Sequence, residues 1–293
     1  MTRIGKQGGK QTIRGKAAVF LILFASLTVP LSGGADGNVA DPIPPSEAGA
    51  KATLERSPRH HEWVDIAVPG RDTKVAAFVA YPERKDKAPV VVVIHEVYGL
   101  TDWIRAVADQ LAADGFISVA PDFLSGKGPG GGGTEKFASR DDVVKAVRGL
   151  VATDVTAMLD AVSRYGRSLP AAKQKFATIG FCWGGARSFQ YATTQPDLNA
   201  AVVYYGTSPD LAALATVRAP VLGLYGGDDA RVTATVAPAE EKMKDLGKTF
   251  NAYTYPGAGH GFLRAQDGRD GANRTASEKA WPATVEFLKI YIE

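Results

Sequence analysis

The chain has 293 residues, of which 45% are hydrophobic, 32 are glycine and 17 are proline, enough apolar material for one large core with many tight turns. Its formal charge of +3 comes from the start. Five of the 34 basic side chains (Arg3, Lys6, Lys10, Arg14, Lys16) lie in the first 35 residues with no acid, leaving 29 against 31 acidic ones. A body so close to neutral argues against a nucleic-acid partner, which would need clustered positive charge.

Residues 1–35 have the form of a secretory signal peptide: a basic stretch, the apolar run "AAVFLILFASLTVPL" (Ala17–Leu31), then small residues. The run is shorter than the roughly 20 residues of a membrane-spanning helix, and Pro30 interrupts its end. The expectation is an exported protein, periplasmic or secreted from a bacterial-type cell, with no stable membrane anchor after cleavage; the alternative is an uncleaved anchor. No cysteine follows the run, which speaks against a lipoprotein. The only cysteine is Cys182. It has no internal disulfide partner, so an exported chain must keep that thiol buried or use it.

Residues 36–58 are polar, contain proline and lack an apolar period, which predicts a flexible linker. One domain is expected over 59–293. It begins with "HEWVDIAV" and "TKVAAFVAYP", alternating stretches around "PGRD" that suggest an edge β-hairpin. "APVVVVIHE" (Ala88–Glu96) is apolar enough for a strand covered on both faces. "TDWIRAVADQLAADG" opens on a capping residue, spaces its apolar residues three or four apart and ends at a glycine, as a helix does. "FISVAPD" predicts a strand, and Asp141 to Tyr165 one long helix. "FATIGF", "AAVVYYG", "APVLGLYGG" and "FNAYTYP" supply four more strands, and "SEKAWPATVEFLKIYIE" a closing helix. Alternating strands and helices imply an α/β fold, a mostly parallel sheet with helices on both faces. "GKGPGGGG" (Gly126–Gly133) lacks the Gly-Lys-Ser/Thr ending of a phosphate loop and is expected to be a mobile surface loop beside a strand end.

The candidate chemistry begins at "ATIGFCWGGARSF". Gly-x-Cys-x-Gly between a strand and a helix has the form of a nucleophile elbow, with Gly180, Gly184 and Gly185 permitting the tight turn. The following helix would point its free N–H groups at the Cys182 sulfur and favour thiolate. Asp228 and Asp229 stand at a later strand end, and His260 in a glycine-rich loop after another. Nucleophile, acid, histidine is the chain order of α/β-hydrolases, and all three would emerge at the C-terminal edge of the sheet. Order alone leaves the acid open between the two aspartates. His60 and His61, ahead of the first strand, are expected to be solvated, and His95 comes too early for that order. No His, Cys and carboxylate cluster has metal-ligand spacing, so neither a metal nor a cofactor is expected.

"VIHEVYGL", "GFCWGG", "GGDDARV" and "GAGHGFLR", in that order, resemble the dienelactone hydrolase family of the α/β-hydrolase superfamily, from about residue 60 to the C-terminus. The resemblance implies the α/β-hydrolase fold, selects Asp229 as the acid, puts Glu96 near the resting thiol and gives Arg264 a part in holding a substrate carboxylate. A second carboxylate-binding arginine is implied, either Arg140 or Arg148. Gly261 departs from the family pattern, which has a hydroxyl residue after the histidine, so the substrate itself is open. The oxyanion donors would be the Trp183 backbone N–H, next to the nucleophile, and by family analogy that of Val97.

The expected activity is hydrolysis of an activated small-molecule ester or lactone, for which the resemblance to carboxymethylenebutenolidases implies a carboxylate-bearing substrate. It would run through a Cys182–His260–Asp229 triad and a thioester intermediate. The alternatives are a general carboxylesterase on the same fold and a non-enzymatic exported protein that binds a ligand or senses redox state through Cys182.

Overall fold

The computed structural model describes residues 42–72 and 74–293. The leader expected over 1–35 and the first residues of the expected linker lie outside them. Eight strands are found among the described residues: β1 (His61–Ala67), β2 (Lys74–Ala80), β3 (Ala88–Ile94), β4 (Ile117–Pro121), β5 (Ala172–Phe181), β6 (Ala200–Tyr204), β7 (Val221–Gly226) and β8 (Phe250–Tyr255). They form one sheet in the order β1-β2-β4-β3-β5-β6-β7-β8. From β4 to β8 every neighbouring pair is parallel. At the other edge β1 pairs antiparallel with β2, and β2 with β4.

The all-apolar β3 shows why the sheet needs two covers. Val91 and Val93 face one layer of helices and Val90, Val92 and Ile94 the other, and all five are fully buried. A strand covered on both faces has no solvent side on which to carry polar residues. On the first face lie α1 (Glu47–Arg56), α2 (Asp102–Ala113) and α8 (Ala272–Ile292). On the second lie α4 (Ala152–Ser168), α5 (Trp183–Ala192) and α7 (Val236–Asp245). Thr101 caps α2 by accepting from the Ile104 N–H at 3.4 Å. No helix of the described residues is long and apolar enough to cross a membrane.

Three expectations are corrected. The single helix over 141–165 is two, α3 (Arg140–Arg148) and α4, because Val151 is extended at φ −76°, ψ 132°. The two apolar stripes serve different cores. Val143 and Val147 pack with Leu124, whereas Val155, Leu159 and Val162 pack on the sheet, and one straight rod could not reach both. The expected linker is ordered from Pro42 onward, and a compact unit runs from Asp41 to Glu293. The apolar contribution of α1 to the core is only Ala50 and Leu54, too little to show as a period. Side chains fasten the segment instead: Trp103 Nε1 donates to the Pro45 carbonyl at 3.1 Å and Gln266 Nε2 to that of Pro44 at 2.8 Å.

His61 is the third correction. It is not solvated: its Nε2 lies 2.7 Å from Asp109 Oδ1, and only 19% of its side chain is exposed. Ser57 and Arg59 donate to the same buried carboxylate. Burial by itself would raise the Asp109 pKa; the bonds from Arg59, Ser57 and His61 outweigh it and hold the carboxyl below its ordinary value. This stabilisation is present at neutral pH and is lost as pH falls through the carboxylate range. Asp109→Ala, which strands Arg59, is expected to cost about 3 kcal/mol by urea denaturation at pH 7. The deficit relative to wild type should shrink as pH falls below the ordinary carboxylate range, where the native carboxylate finally protonates.

Candidate active site

Strand β5 hands over to α5 through a single residue, Cys182, at φ 55° and ψ −113°. A non-glycine residue adopts that backbone only where its surroundings impose it. Here the surroundings are backbone atoms. A Cβ on Gly180 would lie 2.0 Å from the Gly184 carbonyl oxygen, and one on Gly184 2.2 Å from that of Ile94, so both positions exclude a side chain. The Cys182 N–H donates to the Tyr204 carbonyl of β6 at 3.0 Å, and its own carbonyl accepts the first α5 bond from Ala186 at 3.1 Å.

Two other strand ends supply the remaining groups. Asp229 follows β7, just before the short α6 (Ala230–Thr233), and is buried. His260 follows β8, and its Nδ1 lies 2.5 Å from Asp229 Oδ2. The imidazole is one-third exposed. With the carboxylate on Nδ1, Nε2 is left to exchange a proton with another group. Asp228 turns away and meets Arg269 at 3.0 Å, about half exposed, so the choice left open by chain order falls to Asp229.

The thiol departs from expectation. Burial, followed by the nearby charge of Glu96, pushes the Cys182 pKa up to about 11, against the backbone N–H groups of Trp183 and Val97, which favour thiolate. The helix start therefore does not win: the resting group is a neutral thiol. Among the described residues no hydrogen bond joins the sulfur to His260. Trp183 and Val97 both act on the sulfur, which puts the two expected oxyanion donors beside the nucleophile.

Glu96 is buried, 2% exposed. Burial raises its pKa to about 7 in spite of the Arg264 guanidinium, whose Nε lies 2.9 Å from Oε2. Arg264 also reaches Glu47 at 2.5 Å, and Arg140 reaches the same Glu47 at 2.9 Å. Both guanidinium groups lie over the Tyr98 ring, at 3.6 Å from its centroid for Arg140 and 5.1 Å for Arg264. Of the two arginines left open by the sequence, Arg140 stands in this group, whereas Arg148 is exposed elsewhere on α3. Gly261 has φ 74°, and a Cβ there would approach Arg264 Nη2 to 3.5 Å; the glycine meets a left-handed backbone turn between His260 and the arginine.

The sequence reading missed Tyr205, Tyr98 and Glu47. Tyr205 is buried at φ 40°, its ring edge-on to His260 with centroids 5.2 Å apart and its hydroxyl without a hydrogen-bond partner. A tyrosine just past a strand end, between the strands that carry nucleophile and acid, was the available signal. His95 holds the site from beneath: it is fully buried, Nδ1 donates to the Glu96 carbonyl at 2.7 Å, Nε2 accepts from the Phe123 N–H at 3.3 Å, and the ring stacks on Trp183. Among the described residues no group of three or more His, Cys, Asp or Glu could hold a metal ion.

A family model described as the dienelactone hydrolase family matches residues 75–292. A protein of Salmonella typhimurium, provisionally named a carboxymethylenebutenolidase, is 32% identical over 246 residues, covering 77% of this chain and 86% of its own. One from Saccharolobus solfataricus with the same provisional name is 29% identical, covering 74% and 94%. Among solved structures, a provisionally named dienelactone hydrolase of Klebsiella pneumoniae matches with a TM-score of 0.68 at 26% identity, over 79% of this chain and all of that one.

Alkylation of Cys182 by iodoacetamide is expected to accelerate with pH up to about 11, the pKa to which burial and Glu96 push the thiol. Glu96→Gln should move the midpoint of that profile down, because it removes the negative charge that opposes thiolate. A midpoint that stays in place in the variant would mean the glutamate does not act on the sulfur.

Proposed function

Because the chain belongs to the dienelactone hydrolase family, a family of ester- and lactone-cleaving hydrolases, we propose that it hydrolyses a small activated ester or lactone through Cys182, His260 and Asp229 by way of a thioester. The observation that carries this reading is the Asp229–His260 pair, 2.5 Å apart, held on the strand ends of the sheet edge where Cys182 caps α5. Since the resting sulfur is protonated and not bonded to the imidazole, a rotation about its Cα–Cβ bond brings it to His260 Nε2. The proton passes to that nitrogen, and Asp229 on Nδ1 stabilises the resulting imidazolium. The thiolate attacks the carbonyl carbon, and the oxyanion is received by the Trp183 and Val97 N–H groups that the sulfur has left. Each such donor is typically worth about 3 kcal/mol in the transition state. The imidazolium protonates the leaving group as the thioester forms. Water, deprotonated by His260, then cleaves the thioester and restores the thiol.

The choice of sulfur restricts the substrate. A thiolate leaves a tetrahedral intermediate more readily than an alkoxide, so the intermediate goes forward only when the substrate's own leaving group is better still. An enol lactone or an aryl ester meets that condition and an amide does not. The raised thiol pKa also argues against a redox-sensing role, for which an accessible low-pKa thiolate is wanted. Export with removal of residues 1–35 is part of the same reading, and N-terminal sequencing of protein recovered from outside the cytoplasm tests it.

With p-nitrophenyl acetate, Cys182→Ala and His260→Ala are each expected to lower kcat/KM by about 10³-fold or more. Asp229→Asn should lower it by a similar order, about 10³ to 10⁴. The corresponding p-nitroanilide should be turned over far more slowly than the ester by the wild type. Hydrolysis that survives in both the Cys182 and His260 variants would sink the triad.

A further inference from the structure

Glu47 is the first residue of α1, in the segment that composition assigns to a linker, yet it reaches into the candidate site. Its two carboxylate oxygens are divided between two cations: Oε2 lies 2.5 Å from Arg264 Nη1 and Oε1 lies 2.9 Å from Arg140 Nη2. Its backbone N–H donates to the Arg264 carbonyl at 2.9 Å, so main chain and side chain are held by the same residue. The anchoring of Pro44 and Pro45 by Gln266 and Trp103, and the burial of Ile43, fix the segment that delivers it.

Arg264 is next to the reacting groups. Its Nε lies 2.9 Å from Glu96, whose charge acts on the Cys182 sulfur, and its Nη2 comes within 3.5 Å of where a Cβ on Gly261 would sit, one residue after His260. Two guanidinium groups beside one tyrosine ring, each meeting one of the same two oxygens, form a receptor for a single carboxylate, and the carboxylate found there is that of Glu47. A substrate carboxylate would have to displace Glu47, which costs the displaced group its two charge-assisted bonds, or lie beside it against like charge. A neutral substrate meets neither penalty.

We propose that Glu47 is a specificity-determining residue, an internal carboxylate that fills the Arg264–Arg140 subsite and so selects uncharged esters or lactones over those carrying a carboxylate near the scissile bond. This rests on the ester-hydrolase reading of the Cys182 site. The test compares kcat/KM on p-nitrophenyl butyrate and on mono-p-nitrophenyl glutarate for the wild type, Glu47→Gln and Glu47→Asp. The aspartate keeps a negative charge in the first turn of α1 but is one methylene too short to bridge both arginines, so it guards against loss of folding in the glutamine variant. The wild type should favour the neutral ester. The ratio of carboxylate-bearing to neutral activity should rise about tenfold or more in Glu47→Gln and by a smaller factor in Glu47→Asp. Free glutarate should inhibit neutral-ester hydrolysis more strongly in both variants than in the wild type. A ratio that stays within about threefold of wild type in both folded variants, with unaltered glutarate inhibition, overturns the proposal and leaves α1 docking as the sole role of Glu47. Hydrolysis that persists in Cys182→Ala would instead count against the reading of the site itself, so the two failures are distinguishable.

Discussion

The structure depends on how closely backbone passes backbone at the β5–α5 junction. Gly180 approaches the Gly184 carbonyl, and Gly184 the Ile94 carbonyl, at distances that no side chain permits. That crowding turns the chain sharply enough to leave Cys182 at φ 55° with its N–H on β6 and its carbonyl starting α5. Without the turn the sulfur would continue along a buried strand. With it, the thiol stands at the sheet edge to which β7 and β8 deliver Asp229 and His260.

The second governing feature is the buried Glu96. A carboxyl at 2% exposure is held between a guanidinium that favours its charge and a burial that opposes it, and its pKa of about 7 reflects that balance. Burial first, and this charge second, keep the neighbouring thiol protonated. A neutral resting sulfur is also less open to oxidation, because thiolate is the form that oxidants attack. His95 contributes by packing, fixing the Glu96 carbonyl on one side and the Trp183 ring on the other.

The arm ahead of the hydrolase fold belongs to the site as well as to the core. Asp109 gathers Ser57, Arg59 and His61 and so ties the end of α1 to α2, while the start of α1 presents Glu47 to two arginines. The stability of this segment and the charge balance around Arg264 are therefore carried by neighbouring residues, and a change in how α1 docks alters both.

Hydrophobic patterning by itself determined the α/β class, the strands and most helices, since a strand buried on both faces must be apolar throughout and an amphipathic helix must repeat. Glycine spacing and chain order singled out Cys182 and His260, because only a tight strand–helix turn requires glycine on both sides of the central residue. The remainder depended on tertiary structure. Asp228 and Asp229 are equivalent by chain order until His260 is folded onto one of them. The ionisation of Cys182 depends on Glu96, 86 residues earlier in the chain, and no local pattern reports a charge brought in by β3. The break between α3 and α4 follows from two cores at different places. The role of Glu47 was hidden because α1 docks through a few long-range hydrogen bonds and ion pairs, which leave no periodic trace along the chain.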